Sequence, residues 1–550
     1  MIYPKIPLAQ SIIEIFRVKG IKNIVISPGS RNAPLTIGFV NNPNFICYSI
    51  ADERCAGFFA LGIAQQTQQP TALVCTSGSA LLNYYPALAE AFYNQIPLIV
   101  VSADRPQSKV DIGDGQTIRQ EDVFANHSWY NANLLEKASE DNDFKIQEAI
   151  YHSVSKRGPV HINVPFEEPL YETTTNLEVT PIYISKTKAL TEVENLDKFA
   201  TIWNTSKKKM ILVGECFPDF IADAFTELIA NDDSIVVMTE TISNWHHESF
   251  INNIDTIISP FSEEDYKAFQ PEILITFGGM IVSKRIKTML RMYQPKHHWH
   301  IDEIRAYDVF GCLSHHFVCH PNAFFAKFFQ LTTKTESNFA QKIQEIKELR
   351  AKKHIKYLAT IPFSDFKTFE IIFPSLPKNS MLQLGNSATV RYAQLFDIDK
   401  SIAIFCNRGT SGIDGCTSTA IGAAVVCKKQ TVFITGDVSF LYDSNALWNN
   451  YIPKNFKIIV INNGGGGIFR ILPGHEETLV FNTFFETSHC LTAEHLAKMY
   501  QLEYRLASTI ESLEIQLKDF YNLDKPAILE VFTPTKNNNI FLLDYFQKLT

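Results

Sequence analysis

Short apolar runs alternate with helical segments along the first third of the chain. The runs end in polar or glycine-containing turns, and five of them are IKNIVISPGSR, NFICYSI, PTALVCTSGSA, IPLIVVSADRP and GPVHINVP. Strands that alternate with helices in this way form βαβ units, in which helices cover both faces of a parallel sheet. The pattern therefore predicts an α/β domain over residues 1–175.

The same alternation returns twice after a polar, Thr-rich stretch at residues 168–188, which suits an exposed connection. The runs KKMILVGE, SIVVMTET, PEILITFGG and HHWHIDE predict a second α/β domain over residues 190–335. The charged segment FAQKIQEIKELRAKKHIKYLA predicts a linking helix. The runs MLQLGNS, SIAIFCNRG, QTVFITGD, FKIIVINNGG and PAILEVF predict a third α/β domain over residues 360–550. The predicted fold class is α/β, with three Rossmann-like parallel-sheet domains.

The first and third domains are similar to each other in sequence. TALVCTSGSALLNYYPALAEAFYNQIPLIVVSAD aligns with TVFITGDVSFLYDSNALWNNYIPKNFKIIVINN almost without gaps, so that Thr76 falls on Thr435 and Asp104 on Asn463. This similarity predicts an internal duplication of one fold on either side of a middle domain. A chance likeness is the alternative, because any two βαβ units share this rhythm.

Composition and charge narrow the class of protein. The chain has 550 residues, of which 45% are hydrophobic and 20% charged, and its net charge of −8 comes from both signs mixed throughout. These values are typical of a globular protein with several domains and predict no basic surface for a nucleic acid. The sequence has no apolar run long enough to span a bilayer and no signal-peptide core at its N-terminus. We therefore expect a cytoplasmic protein without nucleic-acid or membrane partners.

A carboxylate stands where a predicted strand opens into a helix, in the segment ITGDVSFLYDS. If TVFIT is a strand, FLYDSNALWNNYI a helix and FKIIVIN the next parallel strand, a right-handed crossover brings Asp437 and Asn463 to the same edge of the sheet. Their side-chain oxygens and a backbone carbonyl are ligands that Mg²⁺ takes together with phosphate oxygens. The glycines from Gly464 to Gly467 allow close backbone approach, but their spacing does not match GxGxxG. A metal-bridged diphosphate therefore fits this turn better than a dinucleotide.

These residues resemble the cofactor motif of the thiamin-diphosphate-dependent enzymes. Asp437 follows Gly436, and Asn463 stands 26 residues after Asp437 with a run of glycines behind it. One departure is Val438, which stands where the motif usually has glycine. The resemblance implies that Asp437, Asn463 and the carbonyl of Gly465 hold Mg²⁺, or Mn²⁺, on the diphosphate of the cofactor. It also implies the family's order of a pyrimidine domain, a middle domain and a diphosphate domain.

Glu53, in ADERCAGFFALGIA, follows an apolar run and precedes a helix rich in Ala and Gly. An acidic residue in the first turn of a helix is ordinary by itself. In thiamin-diphosphate enzymes, however, a glutamate in this context hydrogen-bonds the aminopyrimidine ring and promotes deprotonation of the cofactor. The resemblance therefore implies this role for Glu53, and it implies a homo-oligomer, dimer or tetramer, with active sites at the subunit interface.

Further short motifs narrow the resemblance, namely SPGSRNAPL, SADRP, GDGQTI, GNSATVR, NRGTSGIDG and GGIFRILP. Together they resemble the 2-succinyl-5-enolpyruvyl-6-hydroxy-3-cyclohexene-1-carboxylate synthase family of menaquinone biosynthesis. The resemblance implies a transferase that decarboxylates 2-oxoglutarate on thiamin diphosphate. The resulting four-carbon carbanion would then add to isochorismate, with CO₂ as the other product.

Cationic residues in the predicted turns agree with such substrates. They follow strands or stand in Gly/Ser-rich loops, and they are Arg31, Arg105, Lys284, Arg285, Arg391 and Arg408. The planar fork of an arginine can bond both oxygens of a carboxylate, so several arginines at the sheet edges fit two polyanionic acids. Any one of them, taken singly, is equally well explained as a surface charge.

The resemblance also implies roles for individual residues. The expected catalytic residues are Glu53, Gln116, Ser387, Arg391 and Arg408. The expected substrate-binding residues are Ser30, Arg31, Arg105, Lys284, Arg285, Ile468, Phe469 and Leu472. The expected cofactor-binding residues are Glu53, Ser77, Gly78, Ser411, Ile413, Gly436, Asp437, Val438, Ser439, Asn463 and Gly465. Among these, Ile413 would hold the cofactor in its bent form, and Gln116 and Ser387 would orient groups or relay protons.

Two alternatives stay open at this level. Another thiamin-dependent carboligase or decarboxylase, similar to acetolactate synthase, would share the cofactor motif but would accept smaller acids. A non-catalytic scaffold subunit with the thiamin fold would have no need of Glu53, Asp437 and Asn463, and all of them are present.

Overall fold

Three parallel sheets organise the structure. The computed structural model describes residues 1–186, 193, 195–471, 474 and 476–550. Two of the sheets have six strands and the third has five. Both faces of a sheet are buried, as Ala72 and Val74 show by packing into one apolar cluster while Leu73 packs into another. Such strands read as continuous apolar runs, and the predicted class of three parallel-sheet α/β units is confirmed.

The first unit carries a six-stranded sheet. Its strands are β1 (Tyr3–Pro4), β2 (Asn23–Ile26), β3 (Ile46–Ser49), β4 (Thr71–Cys75), β5 (Leu98–Asp104), β6 (Asn131–Asn133), β7 (Val160–Pro165) and β8 (Thr173–Thr174). Its helices are α1 (Pro7–Val18), α2 (Ala33–Val40), α3 (Glu53–Thr67), α4 (Ser79–Asn83), α5 (Tyr85–Asn94) and α6 (Glu140–Ser155), with 3-10 helices at Gln107–Lys109 and Ala125–His127. The sheet has the order β3-β2-β4-β5-β7-β6, and β1 pairs with β8 outside it.

The middle unit carries the five-stranded sheet, in the order β10-β9-β11-β12-β13. These strands are β9 (Lys209–Val213), β10 (Ile235–Thr239), β11 (Ile273–Phe277), β12 (His297–Ile301) and β13 (Leu313–Phe317). The helices are α7 (Asp197–Thr205), α8 (Asp223–Ala230), α9 (Ile254–Ile258), α10 (Glu263–Phe269), α11 (Lys284–Met292) and α12 (Pro321–Phe328), with a 3-10 helix at Thr241–Ser243. The predicted linking helix follows as α13 (Phe339–Leu358).

The third unit carries the second six-stranded sheet. Its strands are β14 (Met381–Leu384), β15 (Ala403–Cys406), β16 (Thr431–Gly436), β17 (Phe456–Asn462), β18 (Glu503–Ala507) and β19 (Ala527–Phe532). Its helices are α14 (Asp365–Ser375), α15 (Ala388–Ala393), α16 (Cys416–Val426), α17 (Asp437–Tyr442), α18 (Leu479–Phe484), α19 (Glu494–Met499), α20 (Ile510–Phe520) and α21 (Asn538–Lys548), with 3-10 helices at Ser444–Leu447 and Gly467–Ile471. The sheet order is β15-β14-β16-β17-β19-β18.

The first and third sheets have the same topology, as their sequence similarity suggested. If the strands of each sheet are numbered along the chain from 1 to 6, their order across the sheet is 2-1-3-4-6-5 in both. The two units also pack on each other through equivalent helices, α3 and α16. Glycines allow these helices to cross closely, because a Cβ added to Gly62 would lie 2.1 Å from the carbonyl oxygen of Thr419. A Cβ added to Gly422 would lie 2.0 Å from the carbonyl oxygen of Phe59.

The predicted helix FLYDSNALWNNYI is wrong. The structure ends α17 at Tyr442 and continues with the short 3-10 helix Ser444–Leu447. The reason lies at Asp443, whose buried carboxylate turns away from the helix and accepts the backbone N–H of Ser418 at 2.7 Å. Asn and Ser residues in the rest of the segment favour turns over a helix.

Three edge strands are absent from the sequence-based prediction: β6, β13 and β18. Each pairs with only one neighbour and is partly exposed, so it lacks the continuous apolar run of a central strand. In the described ranges we find no helix with the length and apolar character needed to cross a bilayer.

Candidate active site

Asp437 links two turns at the edge of the third sheet. It is the first residue of α17, directly after β16, and its side chain is buried. Its Oδ2 accepts the backbone N–H groups of Gly464 and Gly465 at 2.9 and 3.0 Å, and its Oδ1 accepts the N–H of Val438 at 2.7 Å. The structure therefore brings the Gly436–Asp437 turn and the glycine loop after β17 together.

Asn463 offers an unpaired oxygen in the same place. Its Nδ2 donates to Oδ2 of Asp365, the first residue of α14, at 2.9 Å. Its Oδ1 is buried and has no hydrogen-bond partner among the residues that the structure describes. A buried oxygen without a donor is costly unless a cation or water meets it. With the Asp437 carboxylate and the Gly465 carbonyl, this oxygen fits the ligand set of Mg²⁺.

The glycine loop depends on its lack of side chains at Gly465. This residue has a φ of 151°, and a Cβ there would lie 2.7 Å from the carbonyl oxygen of Glu486. The next residue, Gly466, donates its N–H to that same carbonyl at 2.6 Å. The Glu486 carboxylate in turn pairs with Arg470, from Nη2 to Oε2 at 2.7 Å, and both side chains are buried. This ion pair ties the 3-10 helix Gly467–Ile471 to the loop.

A histidine that the sequence did not suggest lies beside Asp437. His489 Nδ1 accepts the N–H of Leu491 at 3.1 Å, so in the neutral ring the proton is on Nε2. Nε2 lies 3.4 Å from Asp437 Oδ2. The contact with this carboxylate raises the pKa of His489 above its usual value.

Burial also changes the pKa of Asp365, the carboxylic acid that is hydrogen-bonded to Asn463. Asp365 is almost fully buried, and burial raises its pKa to about 6, with the nearby charge of Asp437 acting in the same direction. Hydrogen bonds from Thr533 Oγ1, at 2.5 Å, and from Asn463 act against this shift because they favour the ionised form.

Glu53 lies at the edge of the first unit. It is the first residue of α3, and its N-cap is Asp52. The carboxyl group of Glu53 is partly buried; burial raises its pKa, and the negative charge of Asp52 adds to the effect.

The start of α3 contacts the third unit of the same chain. Asp52 accepts a hydrogen bond from Asn445 Nδ2 at 2.9 Å, and Arg54 donates to the carbonyl of Tyr442 at 3.0 Å. These contacts lie at the end of α17 opposite to Asp437. Within the described part of the chain, no hydrogen bond or ion pair joins Glu53 to the Asp437 turn.

The loops after β2 and β5 carry two of the predicted arginines. Arg31 is buried and donates to the carbonyl of Phe166 and to Glu168 Oε1, both at 3.1 Å. Its neighbour Ser30 is exposed. Arg105 lies 3.9 Å from Asp114, and its buried Nε has no hydrogen-bond partner in the described ranges.

The turn after β4 approaches the loop of Gln116. Ser77 is buried, and Gly78 has a φ of 88° and donates its N–H to Gln120 Oε1 at 2.8 Å. A Cβ on Gly78 would lie 3.4 Å from the backbone of Gln116, whose own φ is 56° and whose side chain is exposed. The structure thus brings these predicted residues together.

Arg408 is held in the loop after β15. It is buried and donates from Nη1 to Asn386 Oδ1 at 2.7 Å, while its buried Nε has no partner in the described residues. The Nδ2 of Asn386 donates to the carbonyls of Asn407 and Gly412, both at 2.7 Å. Asn386 therefore sets the shape of the loop and the direction of the guanidinium at once.

A glutamate of the first unit holds the same loop from the other side. Glu90, in α5, is buried and accepts the backbone N–H groups of Gly409 and Thr410, both at 2.6 Å. Burial raises the pKa of Glu90, and these bonds and the charge of Arg408 oppose the shift. In the middle unit, Glu215 is partly buried, and this burial raises its pKa to about 8, while the positive charge of Arg408 opposes the shift. All three units therefore meet near Arg408.

Arg391 and Ser387 occupy the turn and helix after β14. Ser387 has a φ of 71° and precedes α15, and its carbonyl accepts Arg391 Nη1 at 2.5 Å. Burial lowers the pKa of Arg391, and the like charge of Arg408 adds to this effect. The positive charge of Arg408 therefore acts on Arg391.

The loop of Arg408 continues to the predicted cofactor contacts. Ser411 has a φ of 63°, and the carbonyl of Ile413 accepts a hydrogen bond from Ser439 Oγ at 2.8 Å. Ser439 lies in α17, so this bond joins the loop after β15 to the helix that starts with Asp437.

The remaining predicted residues make fewer contacts with the loops at the edge of the third sheet. Lys284 and Arg285 begin α11 and are exposed, and the Arg285 guanidinium stacks on the ring of Phe546 at 4.3 Å. Ile468 and Phe469 lie in the 3-10 helix of the glycine loop and are partly exposed. Leu472 lies outside the described residues.

Several residues of the site carry no clear signal in the sequence. They are Glu90, Asp365, Asn386, Arg470, Glu486 and His489. Of these, Asn386 and Arg470 fall inside motifs that the sequence singled out, GNSATVR and GGIFRILP, although neither residue was assigned a role there. The others act across long sequence separations, as with the contact from Asp365 to Asn463, so nothing nearby in the sequence marks them.

Comparison with known proteins agrees with this geometry. The family model "Thiamine pyrophosphate enzyme, N-terminal TPP binding domain" matches residues 6–128, and "Thiamine pyrophosphate enzyme, C-terminal TPP binding domain" matches residues 386–531. The chain is 66% identical to a 2-succinyl-5-enolpyruvyl-6-hydroxy-3-cyclohexene-1-carboxylate synthase of Flavobacterium psychrophilum, over 100% of both chains. It is 65% identical to the synthase of the same name from Flavobacterium johnsoniae, again over 100% of both, and 39% identical to that of Porphyromonas gingivalis, over 97% of this chain and 96% of the relative. The chain therefore belongs to the 2-succinyl-5-enolpyruvyl-6-hydroxy-3-cyclohexene-1-carboxylate synthase family and carries the two thiamine pyrophosphate binding domains, as its motifs predicted.

Proposed function

We propose that the chain decarboxylates 2-oxoglutarate on thiamin diphosphate and adds the remaining four-carbon unit to isochorismate. The products would be 2-succinyl-5-enolpyruvyl-6-hydroxy-3-cyclohexene-1-carboxylate and CO₂. The observation that carries this proposal is the 66% identity, over the full length, to a relative whose name states that product. The buried arginines at the sheet edges support it, because both substrates are polyanions.

The third unit would hold the diphosphate through a metal ion. Asp437, Asn463 and the carbonyl of Gly465 would bind Mg²⁺, or Mn²⁺, which prefer such oxygen ligands. The support is the unpaired Asn463 oxygen and the convergence of the two turns. Ser439 and Ile413, joined by a hydrogen bond, would contact the cofactor from the neighbouring loop. When bound, thiamin diphosphate supplies a nucleophilic carbon and an electron sink for decarboxylation.

Glu53 would exchange a proton with the pyrimidine side of the cofactor. A carboxyl group with a raised pKa stays closer to neutrality than an exposed glutamate, which suits a group that shares a proton with a ring nitrogen. The loop of Ser77, Gly78 and Gln116 lies at the same edge of the first sheet and would complete this side of the pocket.

The arginines would bind the substrate carboxylates. Arg105 and Arg408 each keep a buried Nε–H without a partner in the described residues, so each has a donor left for an acid. Arg391 lies close to Arg408, and repulsion between the two charges would be relieved by a bound anion. Arg31 is already bonded to Glu168 and would act mainly by its charge.

The active sites would lie between subunits of a homo-oligomer. The exposed apolar residues of α18 support this, since Leu479 is 82% and Phe484 75% exposed beside the glycine loop. Mixing Glu53→Gln subunits with Asp437→Ala subunits tests it. If one site takes residues from two subunits, random exchange in a dimer would restore about one quarter of wild-type activity. No recovery after proven exchange would contradict a shared site. The cytoplasmic location expected from the sequence is likewise a proposal.

The reaction itself is tested with the wild-type protein, thiamin diphosphate, Mg²⁺ and 2-oxoglutarate, with and without isochorismate. We expect CO₂ release and isochorismate consumption in equal amounts, and little CO₂ without isochorismate. Equal CO₂ release in both reactions would indicate a simple decarboxylase, and a preference for pyruvate would indicate an acetolactate-synthase-like enzyme. Absence of any thermal stabilisation by cofactor and metal would favour a scaffold subunit.

A further inference from the structure

Asn463 reaches a buried carboxylate on the side away from the glycine loop. Asp365 Oδ2 accepts the Asn463 Nδ2–H at 2.9 Å, and Asp365 Oδ1 accepts Thr533 Oγ1–H at 2.5 Å. Asp365 is itself fixed, because it is the first residue of α14 and donates its backbone N–H to Asn538 Oδ1 at 2.9 Å. The carboxylate therefore meets the amide from a rigid position.

An amide side chain has two chemically different ends, and only a partner of defined polarity can choose between them. An ionised carboxylate accepts hydrogen bonds and cannot donate them, so it must face the NH₂ end of Asn463. The oxygen end is then turned to the opposite side, where Oδ1 is buried and unpaired among the described residues. This is the side on which a metal ion would take it as a ligand.

No other contact of the Asn463 side chain makes this choice within the described ranges. Asp365 is its hydrogen-bond partner there, and Gly467 is a neighbour of the amide. A Cβ on Gly467 would lie 3.1 Å from Nδ2 and 3.9 Å from Oδ1 of Asn463, and, among the residues described, Gly467 makes no hydrogen bond to either end of the amide.

We propose that Asp365 is a positioning residue that orients the amide of Asn463 so that its oxygen binds the divalent metal of the cofactor. The inference rests on the proposed function, in which Asn463 is a metal ligand. Asp365 acts through Asn463 and does not touch the metal itself.

The test begins with Asp365→Asn, which preserves size and removes the fixed polarity. An amide at residue 365 can donate to Asn463 Oδ1 and so turn that oxygen away from the metal. Partners of this kind, when removed, lower metal affinity about 10- to 100-fold. We expect a loss of this size in a Mg²⁺ titration at saturating thiamin diphosphate, followed by the thermal midpoint, with the metal-free midpoint close to that of wild type. The Mg²⁺ concentration for half-maximal turnover should rise while turnover at saturating Mg²⁺ largely returns.

Exchanging the two side chains provides a rescue. In Asp365→Asn/Asn463→Asp, the amide donates to one oxygen of the new carboxylate and leaves the other oxygen for the metal. We expect Mg²⁺ affinity within a few-fold of wild type. Asp443→Asn is the matched control, since Asp443 is also buried in the third unit and its side chain contacts Ser418, Cys55 and Arg54. This control should leave the Mg²⁺ affinity unchanged.

The outcomes separate the inference from the function. If the wild-type protein itself does not bind Mg²⁺ with thiamin diphosphate, the proposed function is wrong. If wild type binds and Asp365→Asn binds equally well, the proposal for Asp365 is overturned and the function stands. Failure of the exchanged pair to recover affinity would also overturn it, as would loss of the fold in both variants, because Asp365 would then have a purely structural role.

Discussion

The crossing of α3 and α16 sets how the first and third units meet, and it allows a quantitative prediction. We consider Gly62→Ala, which adds one methyl group to α3. The new Cβ would lie 2.1 Å from the carbonyl oxygen of Thr419 and 2.7 Å from the backbone nitrogen of Ala423. Both atoms belong to the backbone of α16, so no side-chain rotation relieves the contact, and the helices must move apart by about 1 Å.

The expected cost follows from two opposing terms. Overpacking of a tight interface costs about 1–3 kcal/mol, and a rigid backbone contact belongs at the upper end of that range. Alanine is favoured over glycine inside a helix by about 1 kcal/mol. The free energy of unfolding should therefore fall by about 1–2 kcal/mol, which lowers the thermal midpoint by about 2–8 °C for a unit of this size.

Thermal denaturation of the protein without ligands measures this effect. Gly115→Ala is the control, because a Cβ there has no heavy atom within 4 Å, and it should leave the midpoint unchanged. Adding Gly422→Ala to Gly62→Ala should cost less than the sum of the single changes, since the first substitution already separates the helices. A Gly62→Ala protein with the stability of wild type would refute the argument that this backbone contact limits the crossing.

Other predictions concern charge and pH. Arg408→Lys should lower kcat/KM for 2-oxoglutarate by about 10- to 150-fold, the worth of a hydrogen bond to a charged group, while stabilisation by thiamin diphosphate persists; unchanged kinetics would contradict the assigned role. Glu90→Gln turns an NH₂ group towards the N–H groups of the Arg408 loop, and we expect a loss of about 1–3 kcal/mol in the free energy of unfolding and a higher KM for 2-oxoglutarate. Burial lowers the pKa of His161 to about 3, so the folded protein keeps this ring neutral while the unfolded chain takes up a proton below about pH 6.5. Stability from His161 is therefore present above that pH and falls as the pH drops towards 3, by up to about 1.4 kcal/mol per pH unit; His161→Gln should remove this slope in denaturation curves between pH 4 and 6.

The central strands could be predicted because burial on both faces imposes a continuous apolar run, as in β4 and β17. The edge strands β6, β13 and β18 have one neighbour each and mixed exposure, so the apolar pattern is missing. For the short helix α17, the sequence predicted more helix than the structure contains. Its apolar residues continue as if in a helix, and the buried bond from Ser418 to Asp443 ends it, which only the folded structure reveals.

The candidate site likewise contains some residues that the sequence predicts and others that it does not. Asp437 and Asn463 stand directly at strand ends, so local sequence and topology suffice to bring them together. Asp365, Glu90 and Glu486 act on them or on the neighbouring loops through contacts between distant segments. Such contacts depend on how helices pack against sheets, and a single sequence contains no pattern that specifies them.

We propose that Glu53 and the Asp437–Asn463 edge serve one thiamin diphosphate site. The most direct test is the turnover of Glu53→Gln at saturating cofactor, Mg²⁺, 2-oxoglutarate and isochorismate, with cofactor binding followed separately by thermal shift. We expect the variant still to gain stability from cofactor and metal but to turn over at least about 100-fold more slowly, because it has lost a proton-transferring group. Turnover close to wild type in a variant that binds the cofactor normally would contradict this proposal.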